Sequence, residues 1–344
     1  MSDTSQTEGE ARSRQSARPA SDQQAEPGRR RRRPRRVVLI ALGSLLTLVI
    51  AVVIGIYAYV NHSVSSIPRL HVTHLVPATG QAENFLVTAY PQGSIGTTAQ
   101  KAAQSHFSDT VVLFHTDANG KGGGAVTIQA DTRVDVPGHG TEPLWDAIQQ
   151  GGPSLLVQTI TQFTGISINH YAQLDFDHIA SLVDAVGGVD VTVPRATHGV
   201  GYSFVKGVNH LTGVTAIYYG RDPSISNEDR LLRQENLLRT VISTISNGHL
   251  LTNPVTDVRV LNALTSSLAV DGNFTNSEIE SLATHFGRLG ADAATFVIAP
   301  TQTVHGNVEP NTALDDQLWT AVNHDSIAAF AQQNPSTVAP QDAP

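Results

Sequence analysis

An α/β domain joined to one membrane-crossing helix is the architecture that the sequence predicts, and three features predict it. Short β-branched runs alternate with helical patterns between residues 84 and 323. A glycine-rich turn at Asp117–Gly124 joins two of those runs as an antiparallel hairpin. Ahead of them, Val37–Val60 carries no charge. At about 1.5 Å per residue it makes a helix about 36 Å long, enough for a ~30 Å hydrocarbon core.

Residues 1–36 lack the apolar side chains needed to fold, so a disordered tail is expected, ending in the Arg29–Arg36 run. That run abuts the apolar span, whereas the first cation beyond it is Arg69, which places the N-terminus in the cytoplasm and the bulk outside. The apolar stretch exceeds a signal-peptide core, and no small-residue cleavage pattern follows Val60. Of the 344 residues, the first 60 hold ten Arg and five acidic residues, leaving twelve cations against twenty-five acids beyond. An Arg run can bind nucleic acid, but against a membrane span it serves as a topology signal. No nucleic-acid partner is expected.

Residues 61–80, rich in Ser, His and Pro, read as a stalk leading to a domain over 81–333, with a disordered tail over 334–344. Asn84–Ala89 is the first buried-type strand, and Asp109–Thr116 and Ala125–Ala130 form the hairpin. Pro153 starts a helix over 154–163. Tyr171–Phe176, a helix over 177–186 and Val189–Val193 form a strand, helix, strand unit that predicts parallel pairing. Ser226 or Asn227 caps a helix from Glu228 to Ser246, with Leu231, Leu238, Ile242 and Ile245 on its packing side. Arg230, Arg233 and Gln234, spaced i, i+3, i+4, share another face that presents donors. Helix over 276–289, strand over 294–299 and helix over 312–323 complete the order.

Cysteine is absent, which excludes disulfides, thiolate metal sites and thiol catalysis. No Gly-x-Ser-x-Gly elbow, His-Glu-x-x-His pair or Walker loop occurs, and His71 with His74 lacks a third ligand nearby in sequence. The concentrated feature is cationic. Arg221, Arg230, Arg233 and Arg239 are four of the twelve cations in the acidic outer part. Planar guanidinium forks suit phosphate oxygens, and with a carboxylate-bound Mg²⁺ they would neutralise a pyrophosphate during phosphoryl transfer. Asp109 and Asp131, each at a strand edge, are the candidate carboxylates. The bland reading of the same arginines is an exposed, charged helix face.

The collinear set Ser108-Asp109-Thr110, Asp131-Thr132-Arg133-Val134, Gly151-Gly152-Pro153, Asp175-Phe176, Leu182 to Val191, Tyr219-Gly220-Arg221 and Asp229-Arg230-x-x-Arg233-Gln234 resembles the LytR-CpsA-Psr (LCP) family of envelope phosphotransferases. The resemblance runs from about Asn84 to Ile245. It implies a three-layer α/β/α sandwich with a mixed central sheet and a polyprenyl pocket. It also implies transfer of a polyprenyl-pyrophosphate-linked glycopolymer to peptidoglycan at the cell membrane, with Mg²⁺. By position, Asp109 corresponds to the metal ligand, Asp131 with Arg221 and Arg230 to catalytic residues, and Arg221, Arg230, Arg233 and Gln234 to the pyrophosphate clamp. Four positions depart from the pattern: Pro91 and Phe107, then Ala130 and Pro223, stand where the family has aspartate or arginine. Two expectations result. One is an active phosphotransferase; the other is a catalytically impaired accessory that binds lipid-linked glycan or peptidoglycan.

Overall fold

The computed structural model describes residues 54–79, 82–90, 110–120, 122–175, 178–199, 201–222, 224–247, 254–289, 294–338 and 342. Most of the predicted membrane span, and Pro91, Phe107, Asp109 and Pro223, lie outside them. Among the described residues no helix is long and apolar enough to cross a membrane.

The first element is a helix over 54–65, α1, followed by β1 (Arg69–Leu70), β2 (Glu83–Tyr90), β3 (Thr110–Thr116) and β4 (Gly123–Gln129). A short ribbon, β5 (Arg133–Val136) and β6 (Gly140–Pro143), leads into α2 (Leu144–Thr164) and β7 (His170–Asp175). Then come α3 (Ile179–Ala185), β8 (Val189–Val193), β9 (Thr197–Gly199), β10 (Tyr202–Phe204), β11 (Gly207–Leu211), α4 (Gly213–Gly220) and α5 (Asn227–Asn247). The chain continues through α6 (Pro254–Ser267), β12 (Leu268–Asp271), α7 (Asn276–Leu289), β13 (Ala294–Ile298), the hairpin β14 (Thr301–Val304) and β15 (Asn307–Pro310), α8 (Thr312–Asn323) and α9 (Ile327–Gln333).

The central sheet has the order β1-β12-β7-β2-β3-β4-β13. Its pairing is mixed: β2 is parallel to β7 and β4 to β13, while β3 runs antiparallel to both β2 and β4. Strands β2, β4, β7 and β13 therefore end at one edge. Alternation along the strands loads both faces. Leu86, Leu113 and Val126 are cross-strand partners that bury against Leu156 and Ile160 of α2 and Trp319 of α8. The neighbouring row, Phe114, Ala125 and Phe296, packs on Leu238 and Ile242 of α5. Helices thus cover both sides. A second apolar cluster joins Val183 of α3, Val191 of β8, Leu211 of β11 and Tyr219 of α4 to Leu237 and Val241 of α5. So α5 is apolar on two sides, and Leu237 and Val241 extend the single predicted packing side.

Four expectations are corrected. The stalk residues are part of the folded body: Val64, Ile67 and Val72 are buried, and β1 pairs in parallel with β12 at the sheet edge. Apolar residues too sparse to form a pattern do this packing, held by Arg69, whose guanidinium donates to Phe274 O and to Asn276 Oδ1. The unit from β7 to β8 does not make a parallel pair. Helix α3 has only 7 residues, and β8 leaves the main sheet to pair antiparallel with β11 after Gly187 and Gly188, at φ 90° and 93°, turn the chain. Helix α2 begins ten residues before the predicted start, broken at Gly152, whose φ of 66° and ψ of −159° precede Pro153. The expected tail is ordered through residue 338, with a 3-10 turn at Pro335–Thr337 and a bridge from Val338 to Val297.

Candidate anion site at the sheet edge

The cationic segment spans the junction between α4 and α5. A capping box between Thr212 and Thr215 starts α4, and Arg221 ends it, its amide bonded to Ile217 O at 3.0 Å. At the other side of the junction, Ser226 Oγ accepts the Asp229 amide at 3.0 Å and caps α5. Arg230 lies in the first turn of α5, where the positive end of the helix dipole attracts anions. Arg221 and Arg230 are both partly exposed.

The two helix ends are tied by buried contacts. Gln234 Nε2 donates to Gly220 O at 3.0 Å, so Gln234 holds the end of α4 against α5. Arg233 and Asp222 are both 0% exposed and form an ion pair at 2.9 Å. The same guanidinium donates to Thr197 Oγ1 at 3.1 Å and sits over the rings of Tyr219 and Phe204. Asp222 also accepts from Tyr202 Oη, Ser224 N and Ser224 Oγ. Burial pushes its carboxyl up, but the Ser224 and Tyr202 bonds and the Arg233 cation outweigh burial and hold it below the usual carboxylate range.

The predicted shared face is therefore divided. Arg233 points inward as a structural cation, while Arg230, one turn earlier, reaches solvent. Sequence spacing puts both on one side of α5; it cannot show that the β9–β10 ribbon and Asp222 cover the second. Asp222, Thr197 and Tyr202 were not legible as partners. Each is distant in sequence from Arg233 or separated from it by a helix start.

Further along α5, Glu235 lies beside Thr127 of β4, and Arg239 sits 5.0 Å over the ring of Phe296, whose register partner is Ala125. Helix α5 therefore runs opposite to β4, and its N-terminus with Arg230 projects toward the edge where β4 ends. Asp131 is exposed at that edge, in a turn fixed by Thr132 N to Gln129 O and Trp145 N to Ala130 O. Asp175, at the end of β7 on the same edge, is buried, with His178 Nδ1 at 3.0 Å. Ala130 is 4% exposed and contributes to the core where the resemblance implies arginine. The edge thus brings Arg221, Arg230, Gln234 and Asp131 to one end of the domain and takes Arg233 into its support.

A carboxylate edge facing two partly exposed arginines is suited to a multiply charged anion. The sequence model of the LytR_cpsA_psr family matches residues 65–333. The chain is 31% identical over 151 residues to the probable cell wall biosynthesis protein LcpB of Corynebacterium glutamicum, covering 43% of this chain and 36% of that one. It is 30% identical over 173 residues to the polyisoprenyl-teichoic acid–peptidoglycan teichoic acid transferase TagU of Enterococcus faecalis, covering 48% and 55%. The chain thus spans about half or less of these relatives. Among solved structures, B. subtilis TagV superposes with a TM-score of 0.59 at 20% identity over 72% of this chain and 98% of that one. A LytR-Csp2A-Psr enzyme from Actinomyces oris superposes with 0.58 at 19% identity over 80% and 98%. At such identities the superpositions speak for the α/β fold with its mixed central sheet. The chain belongs to the LytR_cpsA_psr family.

Proposed function

We propose that this chain is a membrane-anchored, extracytoplasmic phosphotransferase that moves a glycopolymer from a polyprenyl pyrophosphate carrier to peptidoglycan. The observation that carries it is the pairing of Arg221 and Arg230 at adjoining helix ends, beside the positive end of α5 and facing the strand edge with Asp131. Relatives named as teichoic acid transferases support the reaction class. The uncharged Val37–Val60 span behind the Arg29–Arg36 run supports the anchor, with the N-terminus in the cytoplasm.

In this reading Arg221 and Arg230 bind the two phosphates and stabilise the charge that builds on them. Gln234 positions Arg221 through Gly220 O. An acceptor hydroxyl oxygen of peptidoglycan attacks the glycan-linked phosphorus, and the bond from that phosphorus to the bridging oxygen breaks. Polyprenyl monophosphate leaves with that oxygen, and Asp131 takes the hydroxyl proton. Mg²⁺ prefers hard oxygen donors, which fits an edge bearing the Asp131 carboxylate and, by sequence, Asp109. When bound, the ion supplies charge neutralisation at the phosphates.

The test is release of polyprenyl monophosphate from a polyprenyl pyrophosphate-linked glycan by the purified full chain with Mg²⁺. Turnover that Arg230→Ala lowers about 10²- to 10³-fold supports the proposal, and equal turnover in the variant sinks it. A second reading, a non-catalytic glycan-lipid binder, is favoured by the buried Ala130 at an expected arginine position. Lipid retained by the protein without turnover selects that reading.

A further inference from the structure

At the opposite edge of the sheet, a histidine and two carboxylates converge. His115, near the end of β3, has its Nε2 2.8 Å from Asp325 Oδ1 and 3.8 Å from Asp117 Oδ1. Among the described residues this is the one group of three such side chains with ligand atoms all within 4.8 Å of one another. The imidazole is 2% exposed, and the carboxylates are 25% and 19% exposed, so the group opens to solvent on the carboxylate side.

The other ring nitrogen fixes what Nε2 can do. Asn84, the cross-strand partner of His115, donates its Nδ2 to Ser167 O at 3.0 Å, which turns Oδ1 toward His115 Nδ1 at 2.8 Å. A carbonyl oxygen only accepts, so Nδ1 carries a hydrogen, and Nε2 meets the carboxylates either as a lone pair or as the N–H of an imidazolium. Both cases place a cation, a proton or a metal ion, between Nε2 and the carboxylate oxygens. An outer amide acceptor on the second nitrogen is the arrangement that orients metal-binding histidines. Ligand atoms ~2.1 Å from a tetrahedral ion lie ~3.4 Å apart, so a bound ion needs the 2.8 Å His115–Asp325 contact to open and the 3.8 Å His115–Asp117 gap to close by a few tenths of an ångström.

We propose that His115, Asp117 and Asp325 form a divalent-cation site, with zinc as the fitting ion for one imidazole and two carboxylates. It lies roughly 17 Å along β3 from Thr110, at ~3.3 Å per residue, and is separate from the arginine edge. Asp325 occupies the turn between α8 and α9 at φ 51° and accepts the Ala118 amide at 3.0 Å through Oδ2. A bound ion would therefore clip the last helical pair to the β3–β4 hairpin, in a chain without cysteine.

The experiment is equilibrium dialysis of the full-length chain, stripped with chelator and solubilised in detergent, against zinc chloride. Cobalt chloride provides a spectroscopic readout of coordination geometry. The expected result is one equivalent of zinc, a tetrahedral cobalt absorption band, and a melting temperature raised by zinc. Asn84→Ala should weaken binding about 10- to 100-fold, and Asp117→Asn or Asp325→Asn at least as much. Asp117 is on an exposed turn, so its variant keeps the test valid if Asp325→Asn fails to fold. No bound zinc in the parent chain overturns the proposal and leaves a proton as the bridging cation. Undiminished binding in folded Asp117→Asn overturns it as well.

Discussion

Arg230 and Arg233 stand one turn apart on α5, yet the fold uses them in opposite ways. Arg233 is 0% exposed, paired with an equally buried Asp222 and enclosed by Tyr219 and Phe204, whereas Arg230 is partly exposed at the helix start. A buried guanidinium has lost its water, and its lasting contribution is to hold the end of α4, the ribbon residue Thr197 and α5 in one geometry. An exposed guanidinium at a positive helix end has field to offer an incoming anion. Position relative to Asp222, rather than residue type, separates the buried arginine from the one proposed to bind.

The largest expected effect attacks the support. Arg233→Ala leaves the Asp222 charge buried without its cation, and such losses cost about 3 to 5 kcal/mol. Chemical denaturation should show it directly. If Arg233→Ala instead melts like the parent and loses only turnover, Arg233 is a ligand and the contrast fails. Replacing both partners, Arg233→Met with Asp222→Leu, should recover much of the stability, since no orphan charge remains.

Arg230→Ala is the mirror experiment. Unfolding should change by no more than about 0.5 kcal/mol, while transfer from the lipid pyrophosphate should fall about 10²- to 10³-fold, the usual loss for one charge-stabilising donor. A destabilised Arg230→Ala protein with normal turnover per folded molecule reverses the assignment.

A third test uses pH along the same helix. Burial raises the Glu235 carboxyl from its ordinary 4.5 to about 7, against the opposing pull of Arg239 and the neighbouring Thr127 hydroxyl. Because the folded pKa is the higher one, the native state holds the extra proton between those values. Its stabilisation is complete below pH 4.5 and is lost as pH rises through about 7. Glu235→Gln should flatten that decline by roughly 1 to 3 kcal/mol, read from denaturation at pH values across the window. Asp315, also raised to about 7 by burial and Asp316, leaves a residual slope of the same sign.

Much of the frame was legible because its signals are local. The β-branched runs of β2, β3 and β4, the glycine turn between them, and the Ser226 cap with acidic residues after it each act within a few residues. What escaped depends on distant partners. Val64 and Ile67 look like linker residues until β12 and α7 receive them, Val72 until the main core does, and β8 reads as a sheet strand until β11 pairs with it. The site divides likewise. Arginines at the right spacing were visible, but the inward turn of Arg233 needs Asp222, Thr197 and two rings contributed by separate elements.

The smallest expected effect probes how Asp222 keeps its charge. Tyr202 Oη donates to Asp222 Oδ1, and Ser224 donates to the same oxygen through N and Oγ, while Arg233 holds Oδ2. Tyr202→Phe removes one donor of that set, and because the others remain the loss should be about 1 kcal/mol near neutral pH, in the range of a single hydrogen bond. The sharper signature is at acid pH. A carboxyl held below its ordinary 3.8 stabilises the fold above that value and loses the contribution as pH falls through the folded pKa. With a donor removed, the Asp222 carboxyl moves up, so acid unfolding of Tyr202→Phe should begin at higher pH than in the parent. An unchanged acid limb would mean that Arg233 and the two Ser224 donors hold the charge without Tyr202. The β9–β10 ribbon would then support the pair through its contacts to Arg233, from Thr197 and Phe204, and Tyr202 would only cover Asp222.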